Sequence, residues 1–216
     1  MENIDILKRT ERYVKQYFEN EGSGHDWWHI YRVKKMALKI SEIEGGDLFL
    51  IEMAALLHDL DDWKLFENES HKTSKTSVWL HKLELEKNTI QRIEEIIGQV
   101  SFKGANVVVV AKSVEAQIVQ DADRLDAIGA IGIARTFAYG GSKGRLLYDP
   151  DVKSVMHDDF EDYKNNNAPT INHFYEKLLL LKERMNTKYA KTMARKRHAY
   201  MEGFLEEFYE EWEAKS

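Results

Sequence analysis

The sequence predicts an all-helical fold, and three observations lead there. Apolar residues recur at intervals of three and four along most of the 216 residues, the period of a helix that buries one face. Only 2 prolines and 12 glycines interrupt the chain, fewer than a loop-rich β-sandwich uses for its turns. One stretch, Leu48 to Leu60, is apolar on most sides, which suits a helix at the centre of a helical domain.

The elements follow in order. Asp5 to Glu19 has helical spacing through Ile6, Leu7, Tyr13, Val14, Tyr17 and Phe18, and Asn20 to Gly24 breaks it. His25-Asp26-Trp27-Trp28-His29 leads into a second helix with Ile30, Val33, Met36, Ala37, Ile40 and Ile43 on one face. Asp26 reads as its N-cap. Gly45-Gly46 stops that helix, and Asp47 caps the apolar one that follows. Lys75 to Leu85 and Thr89 to Val100 read as amphipathic helices, with a loop from Ser101 to Asn106. The run Val107 to Val110 has strand propensity, but helix is preferred through Val119. Asp121 to Tyr139 reads as one helix, rich in small residues that permit close packing. Gly140 to Asp151 reads as a loop, and Phe160 to Pro169 as irregular. Ile171 to Arg184 and the long Thr192 to Trp212 complete the helices. That last helix, with Tyr200, Phe204, Phe208, Tyr209 and Trp212, is read either as a cover for the core or as a homodimer interface.

Composition narrows the function classes. A chain of 216 residues suits one domain, with 43% hydrophobic residues to build a core and 31% charged residues to solvate it. The formal charge of −6 argues against nucleic acid as the main partner, since phosphate backbones select clustered Lys and Arg. No apolar run approaches the roughly 20 residues of a membrane span, and the charged start, Met1 to Thr10, lacks the apolar centre of a signal peptide. With no cysteine, disulfides and thiolate zinc sites are excluded, and a reducing, cytoplasmic location is expected. Any metal must be held by imidazole and carboxylate, which suits Mn, Mg, Ni, Co, Fe or Zn.

Residues of that kind gather around His58-Asp59, which ends the apolar helix and opens the acidic run Leu60-Asp61-Asp62. Buried polar groups at the end of such a helix need partners, and a metal supplies them. The candidates are His29, His58, Asp59 and a carboxylate from the Asp121, Asp123 and Asp126 cluster. Taken singly, each reads as a solvated or capping polar residue. Asp62, four residues after His58, points to the same side of a helix; Asp61 is the competing choice for a carboxylate that helps a water. Acids at a helix C-terminus oppose its dipole, and a cation would relieve that. Lys64, Lys103, Arg145, Arg32 and Arg124 are the candidate phosphate contacts. His25 is a minor candidate; His71, His81, His157, His173 and His198 read as structural or surface residues.

The order His29-Ile30-Tyr31-Arg32-Val33, His58-Asp59-Leu60-Asp61-Asp62 and Ala122-Asp123-Arg124-Leu125-Asp126 closely resembles the HD-domain phosphohydrolase superfamily. The resemblance covers most of residues 20–150. It implies an all-α HD-domain helical bundle with additional C-terminal helices, a single domain over 1–216 with its metal-binding core about 20–150 and a C-terminal part about 151–216. It also implies the ligand set His29, His58, Asp59 and Asp123 around a divalent ion, Mn or Mg first among the candidates. Related hydrolases often carry a Glu where Asp62 stands. Stretches such as Gln120 to Phe137 and Asn172 to Leu179 are similar to a bacterial branch of small nucleotide pyrophosphohydrolases. The expected reaction is attack of a metal-activated water on a (deoxy)nucleoside triphosphate, giving monophosphate and pyrophosphate. The alternatives are a nucleoside 5′-monophosphate or cyclic or alarmone nucleotide phosphohydrolase, a di-iron oxygenase, and a non-catalytic nucleotide- or metal-binding helical module.

Overall fold

A computed structural model describes residues 2–19, 26–61, 74–100, 109–156 and 167–215. Every regular element among them is helical. In order these are α1 (Asn3–Tyr17), α2 (Trp27–Glu44), α3 (Leu48–Leu57), α4 (Lys75–Lys82), α5 (Lys87–Ile97), α6 (Val114–Asp126), α7 (Gly129–Ser142), α8 (Asn172–Glu176), a 3-10 segment (Leu178–Arg184) and α9 (Lys188–Trp212). They fall into two compact units, residues 1–101 with 109–122, and residues 102–108 with 123–216.

The first unit is built around α3. Asp47 caps it as expected, its carboxylate accepting the N–H groups of Phe49 at 3.0 Å and Leu50 at 3.3 Å. Because the helix is apolar nearly all round, α1, α2 and α5 can all pack on it. Ile51, Met53, Ala54, Ala55, Leu56 and Leu57 are fully buried, and each large side chain among them contributes roughly 1.5–3 kcal/mol of transfer free energy. The one charged residue on α3, Glu52, meets Lys34 of α2 at 3.5 Å; Lys34 also meets Glu11 of α1 at 2.8 Å. A single ammonium thus ties three helices. Trp79 of α4 stacks on Tyr13 of α1 at 4.0 Å and donates its indole N–H to Thr10 at 3.0 Å, so the buried ring leaves no polar atom unmatched. At the other edge the Gln120 amide donates to the carbonyls of Gln99 and Val109, gripping the backbone on both sides of residues 101–108.

The second unit pairs α9 with α7 and with the 3-10 segment. Its centre is aromatic. Phe174, fully buried, stacks on Phe204 at 5.8 Å, and Phe137 meets both. Tyr148 packs edge-on against Phe208, Tyr209 and Trp212. The expected covering role of the C-terminal helix is therefore seen within this unit.

Several boundaries differ from those read in the sequence. The helix expected from Val107 starts at Val114, because the Ser113 hydroxyl accepts the Ala116 N–H at 3.1 Å as an N-cap. The single helix expected over Asp121 to Tyr139 is two, α6 and α7. Gly129 turns the chain at φ 77°, a conformation open to glycine, and a Cβ at Gly132 would sit 2.2 Å from the Ala127 carbonyl oxygen. Residues 171–184 bend at Lys177 (φ −142°, ψ −59°) into the 3-10 segment. The glycine-bearing loop starts later than expected, because α7 runs on to Ser142.

Candidate metal centre

His29 enters the site from the first turn of α2. Asp26 fixes that turn, its carboxylate accepting the His29 backbone N–H at 2.8 Å, the capping role read in the sequence. His58 and Asp59 enter from the end of α3. That helix stops at Leu57, not at Leu60, and closes with a tighter turn in which the Leu60 N–H bonds back to Leu57 at 3.1 Å.

The three side chains meet out of water: His29 is 0% exposed, His58 6% and Asp59 5%. The Nε2 atoms of the two histidines stand 3.3 Å apart. Asp59 places one oxygen 3.2 Å from His29 Nε2 and the other 3.4 Å from His58 Nε2. His58 Nδ1 lies 2.9 Å from the Ala55 carbonyl, which accepts only from a protonated nitrogen. The neutral ring therefore carries its lone pair on Nε2, the atom turned toward His29 and Asp59. Separations of 3.2–3.4 Å match neighbouring donors around a cation bonded at about 2.0–2.2 Å. One buried carboxylate and two converging imidazole nitrogens thus fit a divalent ion, and among the described residues these three form the group able to hold one. The sequence already held the orienting partner of His58, since a carbonyl three residues back on a helix lies under the ring.

The other candidates divide. Asp123 lies on the last turns of α6, half-buried, in the second unit. Of its neighbours, Asp126 is committed to an ion pair with Arg135 at 2.8 Å. Arg124 is buried, and its guanidinium donates to the Arg184 carbonyl, which ties α6 to the end of the 3-10 segment. Arg145 is half-buried with its guanidinium 5.6 Å from the centre of the Tyr139 ring. Arg32 is half-buried on α2, one turn beyond His29. Asp62, Lys64, Lys103, His25, His71 and His157 lie outside the described residues.

Asp61 has a use that the sequence reading missed. Its carboxylate accepts from the Ser74 hydroxyl at 2.6 Å and from the N–H groups of Lys75 at 2.8 Å and Thr76 at 3.1 Å. It caps the start of α4 from outside that helix, beside Ser74, which caps it locally by accepting the Ser77 N–H. Burial pushes the Asp61 carboxyl up, but the hydrogen bonds from Ser74, Thr76 and Lys75 outweigh it and hold the group below its ordinary value. The sequence signal was Ser74 ahead of an amphipathic run; the remote carboxylate had none.

Comparison with known proteins places these residues in a family setting. A family model described as the HD domain matches residues 27–128, a span containing His29, His58, Asp59 and Asp123. An HD-superfamily hydrolase from Bacillus thuringiensis, known by crystal structure, is 48% identical, over 99% of this chain and 100% of that one, with a TM-score of 0.74. A Lactobacillus plantarum protein of known structure superposes with a TM-score of 0.87 at 38% identity, over 96% of this chain and 97% of that one. YpgQ of Bacillus subtilis is 37% identical over 95% of this chain and 93% of its own length. A crystal structure of YpgQ in complex with ADP is 36% identical over 95% of this chain and 97% of that one, with a TM-score of 0.74.

Proposed function

The chain belongs to the HD-domain superfamily, and on that premise we propose that it is a divalent-metal-dependent phosphohydrolase that cleaves (deoxy)nucleoside triphosphates to monophosphate and pyrophosphate. The observation that carries the reading is the buried His29, His58 and Asp59 cluster, with the His58 tautomer set by Ala55. The ADP complex of YpgQ supports a nucleotide as the ligand class. His29, His58, Asp59 and Asp123 would hold the ion, Mn or Mg first. Such an ion, when bound, polarises a phosphoryl oxygen and lowers the pKa of water. The remaining work belongs to side chains. Burial of the triad keeps bulk water away, and the bond to Ala55 keeps the His58 ring from turning. Asp62 would accept the proton of the attacking water. Asp61 suits that task less well, because its two oxygens already serve α4. Lys64, Lys103, Arg145 and Arg32 would neutralise the phosphates; Arg124 is the weakest of the proposed contacts, since it bonds the Arg184 backbone. The whole chain would act as one functional domain.

The test is metal analysis of the purified protein, with product analysis across nucleoside tri-, di- and monophosphates and cyclic nucleotides, on wild type and His58→Ala. Bound metal and pyrophosphate release are expected in the wild type, and loss of both in the variant. Single-phosphate or linear-nucleotide products would replace the triphosphate reading with one of its enzymatic alternatives. Full metal occupancy with no hydrolysis would point to a non-catalytic module.

A further inference from the structure

Two tryptophans open α2, and the structure gives them opposite surroundings. Trp27 is 7% exposed and belongs to the core of the first unit, whereas Trp28 is 57% exposed. Among the described Phe, Tyr and Trp residues of that unit, Trp28 is the one that is exposed; the others are buried or half-buried. A lone apolar side chain in water is ordinary on a protein surface. Trp28 differs from that case in how it is held and in what stands beside it.

Its indole is held by Tyr31. The two rings meet edge-on, with centroids 5.7 Å apart and planes at 84°. Tyr31 in turn lies 6.3 Å from the Trp27 ring and under the Lys35 ammonium at 5.4 Å. The exposed indole is thus braced, through one half-buried tyrosine, against a buried tryptophan. A ring fixed in this way offers a large flat surface at small cost in conformational entropy when a ligand covers it.

Beside it stands the metal cluster. Trp28 immediately precedes His29, and both lie in the first turn of α2, where side chains lean toward the helix N-terminus. Successive residues diverge by about 100° around a helix. His29, 0% exposed, turns to His58 and Asp59, while Trp28 turns outward at the same level. Arg32, half-buried, falls between these two directions one turn further on, three residues from His29 and four from Trp28. Imidazole, guanidinium and exposed indole thus follow one another around one end of a single helix. A nucleotide carries matching groups in order: phosphates that a cation binds, then a sugar, then a flat base. The sugar keeps the base away from the phosphates, so the base needs a surface beside the buried cluster and not within it.

We propose that Trp28 is the platform on which the nucleobase stacks, so that this side chain sets the base preference while His29, His58 and Asp59 serve the phosphate end. The inference rests on the nucleotide reading given above and adds to it the residue that recognises the base. Stacking on an indole favours a purine over a pyrimidine, because the larger ring system covers more of it.

The test measures binding, not turnover, on the full chain with Mn2+. The probes for calorimetric titration are ADP, UDP and inorganic pyrophosphate, which carries no base. The wild type is expected to bind ADP more tightly than UDP. W28L should weaken ADP about tenfold or more and bring ADP and UDP within about twofold of each other. Pyrophosphate and Mn2+ itself should stay within about twofold of wild type, since neither reaches the indole. W28F keeps a flat ring and should retain ADP affinity within about threefold. ADP affinity unchanged in W28L, or ADP and pyrophosphate weakened equally, would overturn the proposal and leave the nucleotide reading in place. A wild type that binds none of the three probes would remove the nucleotide reading and this proposal with it. ADP binding that depends on Trp28 supports the proposal even where no triphosphate is cleaved.

Discussion

Helices α3 and α9 treat polar groups in opposite ways. On α3 the charge of Glu52 is matched by Lys34, and the groups that follow the helix, His58 and Asp59, are buried against His29. On α9 the charges are numerous and most of them are exposed. The contrast shows where function can be read from a fold. A buried polar cluster must be satisfied by specific neighbours or by a ligand, because desolvating it otherwise is costly. An exposed one is satisfied by water and by itself signals nothing.

The largest expected effect separates two aspartates only two residues apart. Asp59→Asn removes the buried anion beside two imidazoles, and should reduce metal affinity by at least about a hundredfold in a calorimetric titration. Asp61→Asn should leave metal affinity within about threefold, while Asp61→Ala should lower stability by about 1–2 kcal/mol through loss of the α4 cap. Equal losses of metal in the two Asn variants would dissolve the distinction drawn between these neighbours.

Next comes the contrast between the helices themselves. Met53→Ala, at a fully buried position on α3, should cost about 2–5 kcal/mol in urea unfolding. Arg195→Ala, measured on dilute protein, should change stability by no more than about 0.5 kcal/mol. A loss of several kcal/mol at Arg195 would mean that the outer face of α9 contributes to the fold of the single chain.

The smallest effect concerns pH. Burial pulls the Glu115 carboxyl up, but hydrogen bonds from its own N–H, from the Asp47 N–H at 3.2 Å and from Ser113, with the Arg92 charge at 3.9 Å, hold it below its ordinary value of 4.5. A carboxyl with a lowered folded pKa stabilises fully above the unfolded value, and the contribution disappears as pH falls through the folded one. The stability difference between wild type and Glu115→Gln should therefore be constant from pH 7 down to about 5 and shrink below about 4.5. A difference that grows toward acid would reverse the assignment of that carboxyl.

Much of the fold was legible in the chain because local rules and burial agree there. The all-round apolarity of Leu48 to Leu57, the caps Asp26 and Asp47, and the period of α2 each follow from side chains within one or two turns of one another. Boundaries were lost where a distant contact or a backbone angle decided them. Arg197 fills the space beside Gly129, which marks the break between α6 and α7. No periodicity announces either. No helix among the described residues is long and apolar enough to cross a membrane, in line with the absence of any such run in the chain.

By itself, then, the sequence determined the helical class and the apolar centre, since residue type and spacing set helix faces; it offered imidazoles and carboxylates as candidate ligands, and the choice among them rested on a family resemblance. Only the tertiary structure decided that His29, separated from His58 by 29 positions, shares one buried space with it and with Asp59. It alone decided that Asp61 turns to α4, 13 to 15 residues further on, and leaves Asp59 to face the histidines. Adjacent residues leave a helix end in different directions, and what each one meets depends on chain that packs there from elsewhere.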